Sequence, residues 1–475
     1  MAEYYVDNSK PDGDGSINRP WNNIAAHINS LNPGDTMYVR GDPGTPQVYN
    51  ESVTVTADGR AGSPITIEPY QDELIEWRSP AGRAILAVEG DYFILNGKDQ
   101  VDMNKNEASG YAVLIEGDYC EILDAEVRGV RWAGRMIKVE GDSATLRNLT
   151  VHDGFNGNSS DCLGIAIDNG IGTVIEDCDI YDVHGDCVYS DDPASNVPRE
   201  FIIRNNKLTA TDPGKCSENA IDLKGSSADG GWSLVYGNWC AGFRACDGSC
   251  GGSGDRTGEA ITVHNSAHKV KVYGNTITDC TGGVVVDDGV EDVWVYDNVF
   301  YNMNKRDPHA SHTAAITLRA KGVKVWNNTF YACDETIRVM THPRFGDSEV
   351  RNNVFSESGD VVGGGISGVT WSHNAWHNCG TVKRGTGDVT ADPQLTDPAN
   401  GNMRLQATSP CIEAGVDVGL PYDGDAPDMG ALERESELMR DNIERCIREV
   451  RATAAQLETC ISQLETCASL LEDCL

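Results

Sequence analysis

The sequence predicts an all-β protein: a single-stranded right-handed parallel β-helix with a C-terminal α-helical coiled coil. Three observations point there. A corner motif recurs along most of the chain, the strands flanking it alternate with period two, and the spacing changes to heptads near residue 435.

The corner motif is a short apolar strand, an Asn or Asp, and a second apolar strand. It reads LRNLTV at Asn148, IEDCDI at Asp177, IRNNKL at Asn206, VYGNWC at Asn238 and VYGNTI at Asn275. It continues as VYDNVF at Asn298, VWNNTF at Asn328, VRNNVF at Asn353 and WSHNAW at Asn374, with weaker copies at Asn96 and Asp124. Successive copies lie 21 to 37 residues apart, the length of one turn of a coil of parallel strands. Each turn must bend between strands, and Asn or Gly tolerates the left-handed backbone such a bend needs. Stacked about 4.8 Å apart, the Asn side chains can also bond to one another in a ladder. A helix bundle is excluded because no sustained 3.6-residue period occurs before about residue 434, and propeller blades need longer, more even repeats.

Fifty-one glycines suit many short strands and tight corners. The formal net charge of −35 repels nucleic acid and anionic membranes, so neither is an expected partner. An acidic polysaccharide would need a bridging cation. No stretch has the roughly 20 apolar residues a membrane span requires. The opening MAEYYV lacks the basic and apolar regions of a signal peptide, so an extracellular or virion location is expected to be reached without one. None of the sixteen cysteines forms a paired zinc motif. A disulfide among Cys216, Cys240, Cys246 and Cys250 is plausible in an oxidising place, whereas Cys162, Cys178, Cys187 and Cys280 read as small buried rung residues.

Both ends of the coil resemble known proteins. EYYVDNSKPDGDGSINRPWNNIAAHINSLNPGDTMYVRG, with Trp21, Pro33, Gly34, Asp35 and Arg40, is similar to the first coil of pectate-lyase-like β-helix proteins. ADPQL, NMRLQATSPCIEAG and DGDAPDMGALE, within 391–433, resemble the closing segment of bacterial surface β-helix proteins. The expected organisation is a β-helix over 1–434, with a cap over about 1–60 and the closing segment at its end, then residues 435–475. In that tail Ile443, Ile447, Val450, Ala454, Leu457, Ile461, Leu464, Ala468, Leu471 and Leu475 alternate by four and three. Cys446, Cys460, Cys467 and Cys474 widen the stripe, which favours three or more strands over two; a parallel trimer is the expectation, and a helix folded back on its own β-helix the alternative.

Aligning the strands that precede the corners puts Val188, Ile221, Leu223, Ile261, Val263, Val284, Val286, Ile316, Leu318, Ile337 and Val339 inward. The residues between them face outward: Asp191, Asp222, Lys224, Thr262, His264, Asp287, Thr317, Arg319 and Arg338. Lys224, His264 and Asp287 should stand in one column with Arg319 above. The longest loops flank this face and bring Arg244, Asp247, Asp255, Arg256, His309 and His312 as walls of a groove. The same polar residues would equally serve to solvate the outside of a sheet.

ENAIDLKG, Glu218 to Gly225, resembles an active rung of polysaccharide lyases. That resemblance implies Lys224 as base, Arg244 or His264 as proton donor, and Asp191, Glu218 and Asp222 as ligands of a calcium ion. The ion would neutralise a uronate carboxylate while a base of lowered pKa takes the adjacent proton. The DGFxxK context of the calcium-dependent pectate lyases is not reproduced. Asp287, Arg319, Arg338, Trp232 and Trp239 are the expected substrate contacts, the tryptophans by stacking on sugars. A hydrolase reading draws instead on Asp161, Asp186, Asp191 and Asp192, although the NTD, GHG and RIK motifs of polygalacturonase-like glycosidases are missing. The leading expectation is an oligomeric, virion-borne spike or adhesin that binds surface polysaccharide, with depolymerisation as a further activity. A secreted calcium-dependent lyase and a non-catalytic fibre are the alternatives.

Overall fold

The computed structural model describes residues 1–434 except 81, 132–133, 156–160, 192–199, 213–216, 226–229, 246–257, 266, 304–312, 341–345 and 363–367. The coiled-coil expectation for 435–475 therefore lies outside the described residues, as do Cys216, Cys246, Cys250, Asp192, Asp247, Asp255, Arg256, His309 and His312.

The chain winds as a three-sided coil. Each strand pairs in parallel with the equivalent strand of the next turn: Val174–Glu176 with Ile202–Arg204, Asp179–Tyr181 with Lys207–Thr209, and Val188–Ser190 with Ile221–Lys224. Two sides merge across the Asn corner into one 25-stranded sheet, and the third is a separate 12-stranded sheet. Inward columns of Val, Ile and Leu fill the bore, with Phe300, Phe330, Phe355 and Trp376 stacked at 5.0, 4.7 and 4.2 Å. At the N-terminal end a short helix, Ile24–His27, buries Ile24 over the first turn, its first amides accepted by Glu51.

The corner divides its labour between two adjacent residues. Asn205, Gly237, Gly274, Asp297, Asn327, Asn352 and His373 take the left-handed conformation. The residue after each, Asn206, Asn238, Asn275, Asn298, Asn328, Asn353 and Asn374, is buried and builds the ladder. From Asn238 through Asn374 every ladder Asn accepts the main-chain N–H and the Nδ2–H of the preceding ladder Asn at 2.9–3.0 Å, and Asn206, at the head of the series, accepts the Cys178 amide at 2.9 Å. Asp388 ends the series by accepting the Asn374 amide. Asn148 and Asp177 are out of step with the rest. They occupy the left-handed position (φ 53° and 56°), leaving Leu149 and Cys178 where the ladder would continue. The motif is thus aligned one residue off in its first two copies.

The closing segment folds back along the outside of the 25-stranded sheet. Leu395, Met403 and Ala431 cover Val299 and Tyr301, and Cys411 and Met429 cover Val354 and Ala375. Cys240 is fully buried in the wall of the coil with a free thiol, so it does not join a loop disulfide. The other described cysteines are also free, and burial pushes the Cys178 and Cys280 thiols up to about 12.

Two outcomes follow. Asn298→Ala strands the Asn275 donors and removes the Nδ2 bonds to the Val272 and Tyr296 carbonyls, which should cost about 3 kcal/mol or more in urea unfolding; a loss below about 1 kcal/mol would contradict the ladder. Near the end of the closing segment, burial pushes the Asp297 and Glu433 carboxyls up to about 7, with the charges of Asp428 and Asp297 adding to Glu433. The folded chain then holds protons that the unfolded chain has released. The stability they contribute is full below about pH 4 and is lost as pH rises through about 7. Amide exchange of 395–405 should accelerate between pH 5 and 8 beyond its intrinsic rise, and Asp297→Asn should flatten that trend.

Candidate polar face on the 12-stranded sheet

The 12-stranded sheet stacks Val188–Ser190, Ile221–Lys224, Glu259–His264, Gly282–Val286, Ile316–Leu318 and Glu335–Val339 in register. Val188, Ile221, Ile261, Val284, Ile316 and Ile337 share one inward column and are fully buried. The residue after each lies on the outer face, giving Tyr189, Asp222, Thr262, Val285, Thr317 and Arg338. Lys224 is paired directly with His264. The same stride carries that column to Asp191 on one side and to Asp287 and Arg319 on the other, where each residue donates its amide to the preceding turn.

A third column lies beside these two. Asp186, Asn219, Glu259 and Glu335 lie three residues before the middle column in each turn, yet share its face: Thr262 bonds Glu259 at 3.0 Å, and Arg338 bonds Glu335 at 2.5 Å. The phase shifts because two consecutive residues turn inward at each strand start, Cys187–Val188, Ala220–Ile221 and Ala260–Ile261. Asp186, Asn219, Asp222, Glu259 and Glu335 are each 5% exposed or less, a dense set of buried polar groups on what is nominally an outer surface.

Asp222 is the hub. Its Oδ1 lies 2.5 Å from His264 Nε2 and its Oδ2 2.9 Å from Lys224 Nζ. Lys224 also sits 4.4 Å over the Tyr189 ring, and the Tyr189 hydroxyl donates to Asp191 at 3.1 Å. Asn219 donates to Asp186 at 2.9 Å. Burial, then the Asp222 and Glu218 charges, hold the Asp186 carboxyl well above the usual carboxylate range.

Several expectations change here. Burial by itself would lower the Lys224 ammonium, but Asp222, Tyr189 and Asp186 outweigh it and raise it above its ordinary value. A base needs the opposite shift, so these surroundings favour Lys224 as a cation. Arg244 does not join it. It pairs with Asp279 at the start of the Glu259–His264 strand, about 16 Å along that strand from His264. Asp191, Glu218 and Asp222 do not converge as calcium ligands. Among the described residues no three His, Cys, Asp or Glu side chains could hold an ion, and Asp222 is already committed to Lys224 and His264. Asp287 pairs with Arg319 at 2.8 Å on the same face. Trp239 belongs to the 25-stranded sheet, and Trp232 immediately precedes its Ser233–Tyr236 strand. Trp232 packs edge-on to Trp294 with Lys271 4.5 Å from its ring, and Trp239 stands 41% exposed near Tyr301.

The comparisons match this geometry. Residues 163–382, the turns that carry the polar face, match the family described as "Right handed beta helix region". The fold is a right-handed parallel β-helix. Among solved structures, this β-helix is similar to a mannuronic acid specific polysaccharide family 6 lyase from human gut microbiota, with a TM-score of 0.53 and 16% identity over 81% of this chain and 83% of that one. It is similar to XylC, solved in complex with xylose, with a TM-score of 0.53 and 13% identity over 83% and 87%. It is also similar to the family 6 alginate lyase AlyGC, at 0.52 and 12% over 81% and 54%. At these identities the likeness is one of fold. No curated protein matches the chain in sequence. No helix among the described residues is long and apolar enough to cross a membrane.

If Asp222 holds the Lys224 proton, Asp222→Asn should let burial lower the Lys224 pKa. Acetylation of Lys224 at pH 8 should then quicken by about tenfold, the effect of one pKa unit; an unchanged rate would show that the pair does not set the lysine's charge.

Proposed function

We propose that this β-helix binds a carboxylate-bearing polysaccharide along the outer face of its 12-stranded sheet and cleaves it by β-elimination. The observation that carries the reading is Asp222, a buried carboxylate shared between Lys224 and His264. An ionised carboxylate only accepts, so the proton between them sits on His264 Nε2. Nδ1 then has no partner among the described residues, and in neutral imidazole it is the basic nitrogen. His264 is therefore oriented as a base by a carboxylate, and Lys224 beside it is a fixed positive charge.

Those are the two groups elimination needs. Lys224 neutralises the uronate carboxylate and so acidifies the proton next to it. His264 Nδ1 takes that proton, the bond from the ring carbon to the glycosidic oxygen breaks, and the same nitrogen returns the proton to the departing oxygen. The product carries a carbon–carbon double bond conjugated with the carboxylate. Arg319 and Arg338, farther along the face, supply positive charge for neighbouring sugars, each partly balanced by Asp287 or Glu335. A mannuronic acid specific lyase among the fold neighbours supports this class of substrate.

The reading extends to the assembly. An extracellular or virion-borne trimer, joined through 435–475, multiplies weak contacts with a repetitive polymer by avidity. Removal of 435–475 should convert an oligomer to a monomer by light scattering.

Incubation with uronate-containing and neutral polysaccharides, followed by ultraviolet absorbance, tests the chemistry. Unsaturated product is expected from a uronate polymer without added metal. His264→Ala should slow it by about a hundredfold or more, Lys224→Ala by a similar factor, and Arg244→Ala little. New reducing ends without absorbance would replace elimination by hydrolysis, and neither cleavage nor binding would favour the non-catalytic fibre.

A further inference from the structure

The side of the 25-stranded sheet that precedes the Asn corner carries a patch the polar face does not use. Strands Ser233–Tyr236, His268–Tyr273 and Glu291–Tyr296 lie in parallel register there. One column runs Leu234, Lys271, Trp294, and the next runs Tyr236, Tyr273, Tyr296. Val235, Val272 and Val295 between them are fully buried in the bore, so both columns point outward. The three tyrosines stack at 4.8 and 4.9 Å, which hides their ring faces and presents edges and hydroxyls. Arg204 donates to the Tyr236 hydroxyl, whereas the Tyr273 hydroxyl has no partner among the described residues.

Lys271 is the centre of the patch. Its Nζ lies 4.5 Å from the ring centre of Trp232 and 4.6 Å from that of Trp294, and the two indoles meet edge to face. The rings hold the ammonium in place, yet none of its three N–H groups is bound to an acceptor among the described residues. Lys269, two residues back, reaches the Gly230 carbonyl at 2.9 Å. Glu200, Glu291 and Asp292 stand at the edges of the patch. Glu200 is bound to the Gly231 amide and Glu291 lies beside His268, and neither lysine forms an ion pair among the described residues.

In a chain with 73 acidic and 38 basic residues, two neighbouring cations without an acidic partner are a local reversal of charge. The rings beside them are only half-buried. Such a patch complements a ligand that has both an apolar face and a negative charge. A sugar bearing a carboxylate has both: the C–H face of its ring packs on an indole while the carboxylate meets the ammonium. A nucleic-acid strand shares that chemistry, but the net charge of −35 repels it.

The patch also adjoins the polar face. His264 ends its strand, Asn265 turns the corner in the left-handed conformation (φ 47°), and Lys269 and Lys271 follow on the next side. A polymer that leaves the polar face at His264 therefore meets this patch next.

We propose that Trp232, Lys269 and Lys271, with Trp294 and Tyr273, form a second binding site for an anionic polysaccharide, round the corner from Lys224 and His264. It holds the chain outside the reacting sugars. That the ligand is a uronate rests on the reading of the polar face above; the patch itself asks for a negative charge beside a sugar ring.

Tryptophan emission reads this site, because none of the described tryptophans lies on the 12-stranded sheet. The probe is a hexamer of mannuronic acid, with cellohexaose as the uncharged control. It is titrated into the full-length chain carrying His264→Ala, so that cleavage does not intervene. A saturable change is expected with the hexamer and none with cellohexaose. Adding Lys271→Gln or Trp232→Ser should raise the half-saturating concentration about tenfold, with the melting temperature kept, since neither side chain faces the bore. No saturable change, an equal response to cellohexaose, or unchanged half-saturation in both variants would overturn the site. An oligomer that falls to a monomer in both variants would assign the patch to a second copy of the chain and overturn it too. Cleavage of a uronate polymer by the parent chain without the emission change would overturn this site alone. Saturable binding without any cleavage would support this site and overturn the elimination.

Discussion

Register is the constraint on which this molecule depends. A parallel strand displaced by one residue turns every side chain to the opposite face, and a coil whose turns differ in length has no turn geometry to prevent that. The asparagine ladder does the pinning. Each ladder Asn binds the next through its own amide and its side chain and also satisfies carbonyls of the wall, as Asn298 does with Val272 and Tyr296. Loops of very different length can then be inserted between turns while the strands return to phase. The left-handed residue just before it makes the bend that points the Asn inward.

With register fixed, position along a strand becomes position in a column, and chemistry can be assembled from residues far apart in sequence. Asp222 and His264 are 42 residues apart and 2.5 Å apart in space. The polar face is costly for a structural surface. Burying Asp186, Asp222, Glu259 and Glu335 forfeits hydration that their mutual contacts only partly return, and burial with the neighbouring Asp222 and Glu218 charges holds the Asp186 carboxyl well above the usual carboxylate range. The inward columns of the same strands are uniformly apolar and already stabilise the coil. A fold that needed only solubility would not bury these groups, which is why the face reads as functional.

Much of this was legible in the sequence because period-two alternation and the corner motif are both backbone requirements. They place Lys224, His264, Asp287 and Arg319 in one column, as the pairing of Lys224 with His264 shows. The column of Asp186, Asn219 and Glu259 was not legible, since consecutive inward residues break the alternation just before each strand; the recurring pairs Ala220–Ile221 and Ala260–Ile261 were the available signal. The state of Lys224 was hidden for another reason. Asp222 lies two residues away on the same face, and that carboxylate reverses the shift burial alone would give. Trp232 and Trp239 were assigned by residue type without regard to side, and they stand on another face of the prism. The reversed path of the closing segment follows from apolar cover over Val299, Tyr301 and Val354, a feature with no periodic signature.

A crystal structure resolving the strands from Val188 to Leu318 would test this account most directly. It should show the Asp222 carboxylate between Lys224 Nζ and His264 Nε2 on the outside of the sheet, with Asn206 to Asn374 in an unbroken inward ladder. Asp222 and His264 on opposite faces, or the asparagines turned out to solvent, would contradict it.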